Sequence, residues 1–235
     1  MPATKRVKKQ RRAPQVVGVI TSSAELRAAQ RLKRPPDIFE LRLDWLLHEK
    51  DLERSIRRLR APVIITARHS AEGGRHRLPE SARRELLLRF LPLAQYVDIE
   101  LRSVPTLRAV LEKARRIGVS TIISLHDVDT TPTLGSLRAK ASRAARLRPA
   151  VFKVATRTDT VLQLSRLMDF FLFTAKHLPV AAMGMGKLGG VSRLLLARCG
   201  CPLIYTSVLK PRVDGQLSLK EFRAMTDGSA LALPR

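Results

Sequence analysis

The sequence predicts a single (β/α)8 barrel, the α/β fold known as the TIM barrel, over residues 15–235. Two observations favour this fold. Short apolar or β-branched runs alternate with segments of helical period, and together they make eight strand–helix pairs. A doubly wound open sheet is the competing fold, because it also consists of repeated strand–helix units. Since no change of composition and no linker divides the chain, we expect one folded domain.

The predicted strands are short apolar runs, which are typical of parallel strands covered by helices. They occupy residues 16–21, 37–43, 63–67, 96–101, 120–125, 151–155, 180–183 and 203–206. Between strands, apolar residues recur at helical spacing, as in Leu107, Val110, Leu111, Ala114 and Ile117. Ser22-x-x-Glu25 and Ser218-x-x-Glu221 match capping boxes, which predicts that the first and last helices begin there.

The chain is strongly basic, with a formal net charge of +24. Residues 1–14 contain six basic side chains and no acidic one, and we expect a disordered basic tail there. The charge indicates either binding of a polyanion or an anionic substrate, or an ordinary solvated basic surface. Aromatic residues make up 4% of the chain, and no nucleic-acid-binding motif appears. Nucleic acid is therefore a partner that the sequence allows but does not favour.

Several classes of protein are excluded by what the sequence lacks. No apolar run approaches the roughly 18 residues that a membrane span needs, and the N-terminus lacks the apolar core of a secretory signal. The two cysteines, Cys199 and Cys201, are too few for a disulfide framework. We therefore expect a cytoplasmic protein with no membrane association and no metal site.

Lys153 is the most informative single residue, because it lies within the apolar run 151–155. An unpaired ammonium group in a buried strand is costly, so burial favours the neutral amine. A neutral amine can attack a carbonyl carbon and form an imine. The alternative is a lysine at a strand end that reaches solvent.

Charged side chains cluster where the predicted strands end, and barrel enzymes place their chemistry at that end. In Glu40-Leu41-Arg42-Leu43-Asp44, alternation puts the three charged side chains on one face. Such charges either pair with one another or meet a polar ligand. His126 follows the strand next to the one with Lys153, which favours proton transfer over a merely packed histidine.

Residues 184–189 match G-x-G-x-x-G after a predicted strand. A dinucleotide site also needs a βαβ unit and an acidic residue about 20 positions later, and neither is present. The segment leads instead to Arg193 near a helix start. An arginine there is suited to binding a carboxylate through two parallel hydrogen bonds.

Six short motifs follow one another in a fixed order. They are Glu-Leu-Arg-Leu-Asp at 40–44, Thr-Ala-Arg-His-Ser-Ala-Glu-Gly-Gly at 66–74, Ser-Leu-His-Asp at 124–127, Phe-Lys-Val-Ala at 152–155, Met-Gly-x-x-Gly-x-x-Ser-Arg at 185–193 and Gly-Gln at 215–216. In this combination the chain resembles the type I 3-dehydroquinate dehydratases of the shikimate pathway, over about residues 16–226. The resemblance implies a (β/α)8 catalytic domain, a homodimer, and no cofactor or metal.

The resemblance also implies a mechanism. Lys153 would attack the C3 ketone of 3-dehydroquinate and form a Schiff base. His126 would remove a C2 proton and later protonate the departing C1 hydroxyl, a syn elimination that yields 3-dehydroshikimate. Glu72 would orient His126.

Substrate binding is implied in the same way. The hydroxyl groups would be bound by Glu40, Arg42 and Arg68, and the carboxylate by Arg193 and Gln216. One departure concerns Arg212, because family members usually have a small hydroxyl residue there. A long cation at this position either strengthens carboxylate binding, blocks the site or alters a lid, and we include it among the substrate-binding candidates.

Two other functions stay open at this point. One is a polyanion-binding or nucleic-acid-binding protein that retains the barrel as a scaffold. The other is a different Schiff-base enzyme of the aldolase type, since fold alone does not dictate reaction.

Overall fold

The structure is a computed structural model that describes residues 13–227. Eight parallel strands alternate with eight helices, as predicted. The strands are β1 (Gln15–Ile20), β2 (Ile38–Arg42), β3 (Val63–Thr66), β4 (Tyr96–Glu100), β5 (Ser120–Asp127), β6 (Val151–Arg157), β7 (Val180–Met185) and β8 (Leu203–Ser207).

The helices follow the strands in turn. They are α1 (Ser23–Arg31), α2 (Leu52–Arg57), α3 (Glu80–Phe90), α4 (Arg108–Arg116), α5 (Leu134–Ala145), α6 (Val161–Thr174), α7 (Gly189–Arg198) and α8 (Leu219–Thr226). Short 3-10 turns add Ser70–Glu72, Leu91–Leu93 and Leu101–Ser103. No helix in residues 13–227 is long and apolar enough to cross a membrane.

The sheet curls into a nearly closed (β/α)8 barrel, so the competing open-sheet fold is wrong. Hydrogen-bonded neighbours run in the order β7-β6-β5-β4-β3-β2-β1-β8, with every pair parallel. Apolar strand residues such as Leu41, Phe152 and Val154 are fully buried in the core with the inner faces of the helices. The predicted tail, residues 1–14, lies outside the described residues except for Ala13 and Pro14, which precede β1.

No backbone ladder joins β7 to β8 in the described sheet, and we call this junction the seam. A side chain spans it. Arg193, on α7, donates from Nε to the carbonyl of Tyr205 in β8 at 2.9 Å. From Nη1 it donates to the carbonyl of Gly184 in β7 at 2.7 Å. A guanidinium group thus links the two strands that end the hydrogen-bonded order.

Two local predictions need correction. Ser218 and Glu221 form a complete capping box, but Glu25 does not return to the backbone of Ser22. Its carboxylate accepts hydrogen bonds from the N–H and hydroxyl of Thr21 instead, at 2.6 and 2.7 Å. Ile117, predicted to be the last residue of an apolar stripe, caps α4 and is 40% exposed, because the helix ends there and Gly118 turns the chain.

Candidate active site

A cavity of about 260 Å³ opens at the C-terminal ends of the strands. All nine residues that the sequence proposed for the site line it: Glu40, Arg42, Arg68, Glu72, His126, Lys153, Arg193, Arg212 and Gln216. They come from six of the eight strands or from the segments that follow them. A parallel barrel brings these ends together, although the residues span most of the sequence.

Lys153 is buried, as predicted, with 3% of its surface exposed. It is not unpaired, however, so the expectation of an unpaired ammonium group is wrong. Its Nζ lies 3.1 Å from Oε1 of Glu40 and 3.0 Å from Oδ2 of Asp98. The ring of Tyr205 lies 4.0 Å below it, a distance suited to a cation–π contact. The amine is therefore held by two carboxylates and an aromatic face.

His126 and Glu72 form a pair at the mouth of β5. Oε2 of Glu72 lies 3.0 Å from Nδ1 of His126 and accepts a hydrogen bond from the His126 backbone N–H at 2.9 Å. Burial, with the nearby charges of Arg68 and Lys153, lowers the pKa of His126 well below its usual value. Burial raises the pKa of Glu72 to about 7, against the opposing effect of Arg68. When Glu72 is ionised, Nδ1 carries the proton and Nε2 is left as a base.

A buried ionic network lies below this pair. Arg68 bonds to Asp98 at 3.0 Å and to Glu100 at 3.1 Å, and it donates to Ser124 at 2.6 Å. Arg83 contacts the other oxygen of Glu100 at 2.5 Å. Although burial acts in the opposite direction, Asp98 and Glu100 raise the pKa of Arg68, so it stays charged. The proposed hydroxyl ligand Arg68 is therefore also part of the support for Lys153, because both bind Asp98.

Arg42 has a similar double position. Its guanidinium makes two parallel hydrogen bonds to Asp44, at 2.9 and 2.8 Å, and a third to the carbonyl of Gly73 at 3.1 Å. The pairing between Arg42 and Asp44 agrees with the structural alternative considered for the charged alternation of β2. Arg42 still lines the cavity, and 15% of its side chain is exposed.

Arg193 is a buried cation without a carboxylate partner among residues 13–227. Besides the two bonds across the seam, Nη1 contacts the carbonyls of Gly189 and Gly215 at 2.9 and 3.2 Å. Burial lowers the pKa of Arg193 to about 10. The bonds engage Nε and Nη1, so Nη2 remains for an anion in the cavity that Arg193 lines.

Glycines permit the loop after β8 to approach Arg193 closely. A Cβ at Gly189 would lie 2.7 Å from the carbonyl oxygen of Gly215, closer than side chains allow. Gly186 has φ of +89° and donates to the carbonyl of Asp214 at 2.7 Å. The glycine-rich segment therefore serves packing against the loop with Gln216, consistent with rejecting a dinucleotide site.

Arg212 lies at the mouth of the cavity. Its Nε is 3.9 Å from Oε1 of Glu25, and its guanidinium carbon is 5.1 Å from the ring centroid of Trp45. Arg75 lies over the same ring at 4.3 Å. The side chain of Arg212 is 45% exposed and forms part of the cavity lining.

Three contributors were missing from the site proposed from sequence: Asp98, Tyr205 and Glu25. Asp98 lies on β4, and its pairing with Lys153 joins residues 55 positions apart, which no local motif reveals. Tyr205 is 3% exposed, and its hydroxyl has no hydrogen-bond partner in the described chain. Because side chains alternate between the two faces of a strand, the position of Tyr205 in β8 could have indicated an inward-facing tyrosine.

Residues 13–227 contain no group of three or more metal-binding side chains.

Comparisons with known proteins agree with this geometry. The family model described as type I 3-dehydroquinase matches residues 16–229. The chain is 31% identical over 218 residues to the 3-dehydroquinate dehydratase of Thermococcus gammatolerans, covering 91% of this chain and 99% of that protein. It is 28% identical over 212 residues to the 3-dehydroquinate dehydratase of Pyrococcus abyssi, covering 89% and 96%.

Solved structures show the same architecture. The 3-dehydroquinate dehydratase of Geobacillus kaustophilus superposes with a TM-score of 0.81 at 23% identity, covering 90% of this chain and 89% of that one. That of Aquifex aeolicus gives 0.76 at 25% identity, covering 89% and 96%. With a family match over nearly all described residues and a full-length relative above 30% identity, the chain belongs to the type I 3-dehydroquinase family of enzymes.

Proposed function

We propose that this protein converts 3-dehydroquinate to 3-dehydroshikimate through a Schiff base on Lys153. The observation that carries the proposal is the buried Lys153 amine in the same cavity as a histidine whose pKa is lowered. An amine and a neutral imidazole facing one small ligand are what imine formation followed by proton removal requires.

In the first step, Lys153 loses a proton to Glu40 and its nitrogen bonds to the C3 carbonyl carbon. Although burial acts in the opposite direction, Arg68 and Lys153 lower the pKa of Asp98, so it stays ionised. Both carboxylates lie within 3.1 Å of Nζ. Glu40 then returns its proton to the former carbonyl oxygen, which takes a second proton from the nitrogen and leaves as water. The product is an iminium whose positive nitrogen withdraws electrons from the adjacent C2. With the proton returned, both carboxylates are charged again and stabilise the iminium as they did the ammonium group.

In the second step, Nε2 of His126 removes a C2 proton and the iminium becomes an enamine. The enamine electrons form the C1–C2 double bond as the C1 hydroxyl departs, and His126 returns its proton to that oxygen. Removal and return on one face constitute the syn elimination. Hydrolysis of the remaining iminium releases the conjugated ketone and restores the Lys153 amine.

Binding is assigned to the arginines and Gln216. Arg193, through Nη2, and Gln216 would hold the carboxylate, and Arg212 would add positive charge at the mouth. Arg42, Arg68 and Glu40 would bind the hydroxyl groups. Since Arg42 and Arg68 are already held by carboxylates, their donors are pre-oriented before the substrate arrives.

The decisive experiment is reductive trapping. Borohydride added with 3-dehydroquinate should attach substrate mass to the peptide containing Lys153, and the Lys153→Met variant should give neither adduct nor turnover. Turnover is followed by ultraviolet absorption of the conjugated product. A folded wild-type protein that turns over without a trapped adduct would rule out the imine route.

We also propose that the enzyme acts in the cytoplasm as a homodimer. Exposed apolar side chains on α6 and α7 support self-association: Val161, Leu162, Leu172, Phe173, Val191 and Leu195. Sedimentation of the purified chain tests this, and a monomer at micromolar concentration would contradict it.

A further inference from the structure

Arginines concentrate on the face of the barrel opposite the cavity. Because all strands are parallel, each helix returns the chain to the N-terminal end of the strands, so the α-to-β connections lie on that face. We define the basic rim as nine exposed arginines at these helix ends: Arg31, Arg34, Arg57, Arg58, Arg60, Arg115, Arg116, Arg146 and Arg148.

Hydrogen bonds from arginine side chains to backbone carbonyls show that neighbouring connections meet there. Arg60, after α2, donates to the carbonyl of Leu32, after α1. Arg115, at the end of α4, donates to the carbonyl of Leu147, after α5, at 3.1 Å. The rim therefore consists of two groups of side chains, each formed by adjacent connections.

The positive charge of the rim is largely uncompensated. Within the described residues, Asp227 is the one carboxylate within 4.0 Å of a rim arginine; it lies 3.5 Å from Arg34, and both are well exposed. Basic residues also favour the negative ends of helices, which is the ordinary explanation for cations there. Four helix ends supply a charge equivalent of about −2 in total. Nine arginines exceed that requirement several-fold.

We infer that the basic rim binds a nucleic-acid duplex through its phosphates, as a function separate from the dehydratase site. Guanidinium groups suit phosphate oxygens because of their planar, paired donors. The rim connections are short loops that offer no helix or strand to enter a groove, so the contact is independent of sequence. A duplex is favoured over a single strand, because none of the rim connections contains an aromatic residue on which bases could stack.

An anionic membrane is a weaker match to the same charge. Peripheral membrane binding combines cations with apolar side chains that enter the lipid. Among the connections that hold the rim arginines, Ile117 is the large apolar residue that is exposed, at 40%. The rim therefore lacks the apolar component.

The test is binding of the full chain to fluorescent RNA and DNA duplexes of about two helical turns, measured by anisotropy across a salt series. The rim variant replaces Arg57, Arg58, Arg115 and Arg116 by Gln. The control replaces four exposed arginines elsewhere by Gln, namely Arg27, Arg77, Arg84 and Arg102, so that the change in net charge is the same.

We expect the rim variant to lose affinity about tenfold or more near 0.1 M salt, and its log–log salt slope to decrease by up to about 4. The control should lose much less, and both should retain dehydratase turnover, which shows that they fold. Tighter binding of RNA or of DNA identifies the biological form. Paired variants, Arg57/Arg58 and Arg115/Arg116, should each give part of the effect.

Three results would overturn the inference. One is equal weakening of rim and control variants, which would indicate net charge alone. Another is an absence of duplex binding even at low salt. The third is binding to vesicles of anionic lipid but not to either duplex.

Removing residues 1–12, which join the chain at this face through Ala13, should weaken binding further because six cations are lost.

Discussion

One carboxylate oxygen of Glu72 accepts a hydrogen bond from the backbone N–H of His126 at 2.9 Å and lies 3.0 Å from Nδ1 of the same residue. The two contacts fix the ring orientation, and the charge on Glu72 decides which ring nitrogen holds the proton. If Glu72 is protonated, it donates to Nδ1 and the ring proton moves to Nε2, where it prevents His126 from acting as a base.

We therefore expect kcat/KM to fall about tenfold per pH unit below about 7, the pKa to which burial raises Glu72. His126 adds no inflection near neutrality, because its pKa is well below the usual value. In Glu72→Gln the inflection should vanish and the plateau should fall about ten- to a hundredfold. A wild-type profile that is flat between pH 6 and 8 would contradict this assignment.

The same pKa predicts how stability depends on pH. The folded protein binds the Glu72 proton more tightly than the unfolded chain does, so this stabilisation is complete below about pH 4.5 and is lost as pH rises to about 7. The loss is up to about 3 kcal/mol. In urea unfolding, the free energy of unfolding of the wild type should fall by this amount relative to that of Glu72→Gln between pH 4.5 and 8. An unchanged difference would show that Glu72 titrates normally.

Asp98→Asn should be strongly destabilising, because Asp98 is buried against both Lys153 and Arg68. Removing one partner of a buried ionic group costs about 3–5 kcal/mol. Turnover should also fall, since Nζ loses one of its two carboxylates. The control is Asp169→Asn, an exposed site on α6, which should change unfolding by less than about 0.5 kcal/mol. Equal stability of the two variants would show that the Asp98 carboxylate does not stabilise the buried network.

Arg193→Lys should raise KM about ten- to a hundredfold while kcat changes less. The lysine keeps the charge but lacks the planar donors that hold carbonyls of two strands and an anion together. Arg166→Lys is the matched control, because Arg166 donates to the carbonyl of Thr131 at 2.8 Å but does not line the cavity. If the two variants gave the same KM, Arg193 would not bind substrate.

Arg212→Ser should lower kcat/KM about three- to tenfold at low ionic strength, through KM. An exposed cation at the mouth attracts an anionic substrate, and salt screens the attraction. Lys210→Ser is the control: it removes the same charge two residues from Arg212. Because Lys210 does not line the cavity, this substitution should have little effect. A rise in kcat/KM for Arg212→Ser would instead mean that Arg212 hinders entry.

Strand positions could be predicted because helix-covered parallel strands are apolar runs, and residues 151–155 and 180–183 both proved to be strands. Residues at strand ends could be assigned to one site for the same topological reason. The partners of Lys153 could not, since Glu40 and Asp98 are 113 and 55 positions away and their contact depends on how strands tilt around the barrel. The role of Arg193 at the seam was equally hidden, because it depends on which strands fail to pair.

That unpaired junction has a consequence for motion. β7 and β8 share no ladder bond in the described sheet, and the guanidinium group of Arg193 donates to one backbone carbonyl of each strand. Since the same group is the proposed anchor for the ligand carboxylate, a bound acid and a tight junction should favour each other. Deuterium uptake by both strands should slow when the cavity is occupied. A small molecule bound at the C-terminal end of the barrel would then stabilise the junction between β7 and β8.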